Sequence, residues 1–170
     1  MGKLFWCCTI AMLLGAAVQS AQAAPPANAN KAMLEHGRHL VMTSGCNDCH
    51  TDGYINTNGT VPQSQWLMGS HVGWNGPWGT TYPLNLRIVA HGLTEQEWIK
   101  QLRSTQGRPP MPWYMFKNFS NYDLASIYHF IRSLGPVGEP APMYLPPGQK
   151  PNPPYFELVA PLSPPAKPGS

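Results

Sequence analysis

Cysteine is scarce in this sequence, and its scarcity excludes several kinds of site. The chain has four cysteines in 170 residues. Cys7 and Cys8 lie in an apolar N-terminal run, and Cys46 and Cys49 are the other two. A structural zinc site needs about four nitrogen or sulfur ligands, usually with a second Cys/His pair at fixed spacing, and no second pair is visible. Small secreted domains often depend on disulfides, but beyond Cys46 and Cys49 the sequence that follows the apolar run has no thiol.

Charged residues are also sparse. They make up 11% of the chain, with 11 basic against 8 acidic side chains and no run of like charge. Nucleic-acid-binding proteins and proteins that bind polyanions usually carry clustered basic residues. The composition therefore argues against both classes of partner.

No apolar run is long enough to form a transmembrane helix. The N-terminal run covers residues 4–18, about 15 residues, whereas a spanning helix needs roughly 20. Lys3 before the run and Ala21-Gln22-Ala23 after it complete the pattern of a secretory signal. We expect residues 1–23 to be a signal peptide, the protein to be periplasmic and no membrane span to remain; cleavage after Ala24 and an uncleaved anchor are the alternatives.

The most informative motif is the run Cys46-Asn47-Asp48-Cys49-His50. This is the C-x-x-C-H spacing that attaches a c-type haem. The two thiols can form thioethers with the two vinyl groups of one porphyrin, and the histidine can place a ring nitrogen on the iron. A thioredoxin-like pair would need a βαβ pattern, which is not visible, and a chance occurrence is the remaining alternative. We predict one covalent haem c with Cys46 and Cys49 as anchors and His50 as an axial ligand of the iron.

The second axial ligand is predicted to be Met111. It lies in the segment 107–113 with Pro110 and Pro112 on either side, and prolines restrict the backbone so that the loop can hold a side chain rigidly. A thioether ligand raises the reduction potential of haem iron. The alternative ligands are Met115, Met68, His71 and His91. A further alternative is an open iron site with no second protein ligand.

The free ring N–H of an iron-bound histidine is normally held by an acceptor. For His50, one candidate is a backbone carbonyl in the loop that follows, near Pro62, and the sequence does not single out an acceptor.

Helical periodicity predicts three main helices, over residues 31–43, 94–104 and 120–134. Thr94 and Glu97 have the spacing of a capping box, and Ser120 or Asn121 can cap the third helix. Gly37 is costly inside a helix, which makes sense if another helix crosses closely there.

About 40 residues between the first and second helices show no persistent strand alternation. We expect them to form loops packed on the haem. The candidate haem-pocket residues are Trp66, Trp74, Trp78, Tyr82, Arg108 and Trp113.

The C-terminal part is rich in proline: residues 136–168 hold 12 of the 20 prolines. Proline lacks an N–H and fixes φ, so this stretch is expected to be extended or polyproline-like rather than regular helix or sheet. Apolar residues such as Tyr144 and Phe156 suggest that part of it packs on the domain; a disordered tail or docking onto a partner are the alternatives. The predicted organisation is a haem domain at 24–135 and a Pro-rich extension at 136–170.

Together these residues resemble class I monohaem c-type cytochromes. The match runs from about residue 31 to 134 and rests on Gly37, the Cys46–His50 motif, the proline-flanked Met111, and a C-terminal helix with Tyr128 and Leu134. The sequence around the haem motif and around Met111 is similar to that of cytochrome subunits of bacterial membrane dehydrogenases for alcohols and sugar acids. Those subunits carry several haem motifs, whereas this chain has one. The resemblance implies an all-α cytochrome c fold of about three main helices around one haem.

The expected function is electron transport and not catalysis, with no catalytic residue. The iron would pass single electrons, as Fe(III)/Fe(II), from a dehydrogenase or reductase to an oxidase or other acceptor. One alternative is a fixed subunit of a periplasmic oxidoreductase complex, with the extension as its docking strap. A haem enzyme or ligand sensor would need an open iron site, and no acid/base constellation supports one.

Overall fold

The structure is a computed structural model that describes residues 27–159. The predicted signal peptide, with Cys7 and Cys8, and the last part of the extension lie outside the described residues. The helices are α1 (Ala27–Thr43), α2 (Cys46–His50), α3 (Leu86–His91), α4 (Glu95–Ser104) and α5 (Asn121–Ser133), and the strands are β1 (Gly73–Gly76), β2 (Gly79–Thr81) and β3 (Tyr155–Glu157). Short 3-10 turns occupy Gln63–Gln65 and Trp113–Asn118.

The three predicted main helices are confirmed as α1, α4 and α5. Thr94 caps α4 through a complete capping box with Glu97, as its sequence predicts. Ser120, rather than Asn121, caps α5, and Asp123 completes a second capping box there. Each box satisfies backbone N–H groups that the first helical turn leaves without partners, which explains why these helices begin where they do.

The close helix crossing predicted at Gly37 is also confirmed. A Cβ atom at Gly37 would overlap the backbone carbonyl of Ser126 and lie 2.9 Å from the Cβ of Phe130. Both residues belong to α5, so α1 and α5 touch almost backbone to backbone at this point. Only glycine fits such a contact without moving one of the helices.

A Gly37→Ala variant is therefore expected to be less stable by about 1–3 kcal/mol, the usual cost of overpacking a core. Alanine's better helix propensity offsets up to about 1 kcal/mol, but it cannot relieve an overlap with backbone. Gly92→Ala is the matched control, because its added Cβ would come no closer than 3.6 Å to the neighbouring atoms. Chemical denaturation measures both; equal stability of the two variants would contradict the close crossing.

The predicted all-α class is wrong, because the structure contains a three-stranded sheet in the order β2-β1-β3. Strand β1 pairs antiparallel with β2, across the turn at Pro77 and Trp78, and parallel with β3. The strands are three or four residues long, too short for alternation to show in the sequence. Helices α2 and α3 also add to the three predicted ones, so the molecule is a mixed α/β protein.

The Pro-rich extension contacts the body of the molecule at several points. Leu145 forms two backbone hydrogen bonds with Thr80, of 2.8 and 3.0 Å. The Tyr144 hydroxyl donates to the carbonyl of Trp78 at 2.7 Å, and β3 joins the sheet. The prediction that this stretch forms no regular sheet is wrong for Tyr155–Glu157, because those three residues contain no proline and keep their N–H groups.

The core lies between α1, α4, α5 and the loop after α2. Its buried apolar residues are Val41, Trp66, Leu67, Ala90, Trp98, Ile127, Tyr128, Phe130 and Ile131. The polar edges of the buried rings have partners: Trp98 donates to the Leu124 carbonyl and Tyr128 to the Leu93 carbonyl. Across residues 27–159, every helix is too short or too polar to cross a membrane.

The segment at the start of α3 joins distant parts of the chain. Arg87 is 4% exposed, and its guanidinium donates to the carbonyls of Gly135, at 2.7 Å, Ser64, at 2.8 Å, and Leu134. Two of these carbonyls lie at the C-terminal end of α5, where a positive charge is favourable. Asn85 caps α3 and also donates to the carbonyl of Val137. This segment therefore fixes the end of α5 and the start of the extension.

Candidate haem site

A cavity of about 360 Å³ lies beside α2, within the range of roughly 300–1,000 Å³ that cofactor pockets occupy. Its walls come from α2, the sheet, α3, α4, α5, the Met111 loop and the extension. The lining includes Cys46, Cys49, His50, Trp74, Thr81, Leu84, Trp98, Arg108, Met111, Trp113, Ile131 and Tyr144.

Helix α2 has only five residues and is held by contacts outside itself. The Thr51 hydroxyl donates to the Asn47 side chain at 2.7 Å and accepts from the Leu67 N–H at 2.8 Å. The Gly69 N–H donates to the carbonyl of His50 at 2.8 Å. These bonds fix the helix against the following loop, so that its three motif side chains all line the cavity.

The imidazole of His50 is oriented by one hydrogen bond. Its Nδ1 lies 2.8 Å from the Leu84 carbonyl. A carbonyl can only accept, so Nδ1 carries the proton and Nε2 keeps a lone pair for a metal. Burial lowers the pKa of His50, an effect that the Leu84 bond opposes, and the ring is therefore neutral at neutral pH.

The acceptor for His50 is a backbone carbonyl in the segment before α3, at a different place from the Pro62 region that the sequence offered as one candidate. The acceptor is the Leu84 carbonyl. The reason is that Gly69 pairs with the end of α2 and in turn packs against the backbone at 83–85: a Cβ at Gly69 would lie 2.8 Å from the Pro83 carbonyl oxygen. This folds the segment before α3, and not the Pro62 loop, alongside the imidazole.

The two thiols of the motif are free cysteines that share the cavity wall. Burial raises the pKa of Cys46 to about 12, with the nearby Asp48 carboxylate adding to the effect. Burial also raises the pKa of Cys49. Both side chains are therefore neutral thiols at neutral pH, suited to an apolar ligand.

Three contacts restrain the loop that carries Met111. The Thr81 hydroxyl donates to the Pro109 carbonyl at 2.7 Å. The Trp113 ring packs over Gly107 so closely that a Cβ there would overlap it. The guanidinium carbon of Arg108 lies 3.6 Å from the centre of the Tyr144 ring.

Among the described residues that line the cavity, Met111 is the one methionine and His50 the one histidine. The alternative ligands Met115, Met68, His71 and His91 lie outside this lining. The geometry thus brings together the four residues of the predicted haem centre, although they come from separate parts of the chain.

Four of the six candidate pocket residues line the cavity: Trp74, Tyr82, Arg108 and Trp113. The other two lie elsewhere. Trp66 is buried in the core and donates to the Val61 carbonyl at 2.8 Å, and the ring of Trp78 packs on Gly76.

Sequence reasoning missed the walls that α3 and the extension provide. Leu84, Leu86 and Val89 line the cavity, as do Pro142 and Tyr144. Asn85, a good N-cap residue before an apolar run, was a local signal for α3. The role of the extension had no comparable signal, because it depends on contacts between segments far apart in the chain.

The lining fits a haem. It is dominated by aliphatic and aromatic side chains, it holds two thiols for thioether bonds, and it offers one imidazole nitrogen and one thioether sulfur for iron. Arg108 is the one Lys or Arg among the described lining residues and suits the two carboxylates of the porphyrin. Within residues 27–159, no group of three or more His, Cys, Asp or Glu side chains could hold a metal by themselves.

Comparisons with protein-family models, with curated proteins and with solved structures find no match for this chain.

Proposed function

We propose that this protein is an exported c-type cytochrome that carries one covalent haem and transfers single electrons between redox proteins. The observation that supports the proposal is the shared cavity of Cys46, Cys49, His50 and Met111. The sequence motif predicts three of these residues and the flanking prolines predict the fourth, which lies in the loop between α4 and α5.

Each residue has a distinct chemical role in this proposal. Cys46 and Cys49 would hold the porphyrin through two thioether bonds, each formed by adding the S–H across one vinyl group, which needs no oxidant or reductant. His50 binds the iron through Nε2, with its ring held by Leu84. Met111 supplies the sulfur ligand, which favours Fe(II).

The other lining residues would limit the access of water to the haem and balance the charge of its carboxylates. The apolar walls exclude water, and Arg108 offsets the negative carboxylates of the porphyrin. A haem held in this cavity supplies one-electron Fe(III)/Fe(II) chemistry. A dehydrogenase or reductase would be the donor, and an oxidase or similar protein the acceptor.

Replacing Met111 tests the proposal. The oxidised wild-type protein should show the weak far-red absorption band of a methionine sulfur on Fe(III). Met111→Ala should abolish this band and lower the reduction potential, because a soft ligand that stabilises Fe(II) is lost. Absorption spectroscopy and a redox titration measure the two effects.

Met115→Ala is the matched control, because Met115 lies in the same region of the chain but outside the cavity lining. It should keep the band and the potential of the wild type. A band that survives in Met111→Ala would show that another residue binds the iron, and a wild-type protein without the band would favour the open-site alternative.

A further inference from the structure

The extension reaches the loop that carries Met111 through one aromatic ring. The guanidinium carbon of Arg108 lies 3.6 Å from the centre of the Tyr144 ring, well inside the distance of about 6 Å at which a cation is attracted to an aromatic face. Both residues line the cavity. Arg108 stands three residues before Met111, at the start of the proline-restricted part of the loop.

Tyr144 is itself held firmly in place. Its hydroxyl donates to the Trp78 carbonyl at 2.7 Å, and the next residue, Leu145, pairs with Thr80 through two backbone hydrogen bonds. Gly79 allows this approach: its φ is +98°, and a Cβ there would overlap the Leu145 carbonyl. The ring of Tyr144 is thus anchored on the β1–β2 hairpin.

The same hairpin also holds the next residue of the Met111 loop. Thr81, next to Thr80, donates to the Pro109 carbonyl at 2.7 Å. Arg108 is therefore tied to the hairpin through Tyr144, and Pro109 is tied to it directly. Because Pro109 and Pro110 follow with fixed φ, a restraint on Arg108 limits where Met111 can go.

We propose that Tyr144 is a positioning residue for Met111: by holding Arg108 against its ring, it keeps the loop closed over the cavity. This inference rests on the proposed function, in which the Met111 sulfur binds the iron. Tyr144 would act without contacting the iron, by reducing the fraction of molecules in which the loop has moved away.

An added ligand measures that fraction. Imidazole binds the iron only when the Met111 sulfur has left it, so its apparent affinity is directly proportional to the population of this open state. Loss of a cation–π contact changes an equilibrium by roughly two- to tenfold. A Tyr144→Leu variant should therefore bind imidazole roughly two- to tenfold more tightly than the wild type.

The experiment is an imidazole titration of the oxidised, full-length holoprotein, followed by its absorption spectrum. Tyr144→Phe keeps the ring over Arg108 and should stay close to the wild type. Met143→Ala is the control for a change in the extension, because its side chain is 86% exposed, and it should have no effect. Arg108→Gln should resemble Tyr144→Leu, and the double variant should show no further increase, since both changes break the same contact.

The outcomes separate this inference from the proposed function. Wild-type imidazole affinity in both Tyr144→Leu and Arg108→Gln, with the far-red band present, overturns the positioning role alone. Full additivity in the double variant overturns it as well, because it would mean that the residues act separately. A wild-type protein without the band overturns both proposals. If Tyr144→Leu does not fold, Arg108→Gln tests the same contact with the extension intact, and a redox titration of that variant measures the separate loss of the charge beside the porphyrin carboxylates.

Discussion

A Cys46→Ser, Cys49→Ser double variant is expected to contain no covalently bound haem. Serine hydroxyls do not form stable thioether-like bonds with the vinyl groups, and His50 and Met111 alone would leave a haem that dissociates on denaturation. Haem staining of a denaturing gel measures the effect directly. Each single variant should keep the haem on one bond, with one vinyl group left unreacted and absorption maxima at longer wavelength.

The folded protein should also become scarce in the double variant. A haem that is not bonded to the chain can leave, and its loss exposes the apolar walls of the cavity to water, which removes part of the hydrophobic stabilisation of the fold. A Cys7→Ser, Cys8→Ser variant is the matched control and should keep its haem, because these residues precede the predicted cleavage site. Covalent haem in the Cys46/Cys49 variant would contradict the assignment.

Arg87→Leu is expected to destabilise the protein by about 3–5 kcal/mol, the largest effect of a single substitution outside the haem centre. Arg87 is 4% exposed and donates to three carbonyls, two of them at the end of α5. Removing a buried charge leaves these acceptors without partners, and hydrogen bonds to charged groups are worth about 1.5–3 kcal/mol each. Chemical denaturation of the holoprotein measures the loss.

Arg103 offers a matched control, because it donates to the Phe116 and Phe119 carbonyls in the same way but is exposed to solvent. Water can replace its hydrogen bonds, so Arg103→Leu should cost about 1 kcal/mol or less. Arg87→Lys should fall between the two, since it keeps the charge but loses the planar fork of donors. Equal losses for Arg87→Leu and Arg103→Leu would show that burial of Arg87 carries no special cost.

Local patterns predicted the helices well, because their causes lie within a few residues. The capping boxes at Thr94 and Ser120 mark where α4 and α5 begin, and Gly37 marks where another helix, α5, crosses α1. The sheet could not be predicted in the same way. Strand β1 pairs with β3 across about half of the chain, and neither strand is long enough to show a periodic pattern of its own.

The candidate site also combines features that local sequence predicts with features that depend on distant parts of the chain. Spacing alone identified Cys46, Cys49 and His50, and flanking prolines identified Met111. The Leu84 carbonyl that orients His50 has no side-chain signature, because any residue offers a carbonyl. The apolar character of Tyr144 predicts that the extension packs on the domain, but its contact with Arg108 depends on the path that the extension takes.

The parallel pairing of β3 with β1 leaves β1 without a free edge. Strand β1 is central only because β3 covers one of its sides, where Gly73 donates to the Pro154 carbonyl and the Asn75 carbonyl accepts from Leu158. Without the extension these groups would form an open sheet edge, a surface that recruits strands from other molecules. The extension therefore covers this edge, and β3 itself offers only three residues to a second copy, because Pro154 stands directly before it and very short edge strands are poor templates for pairing.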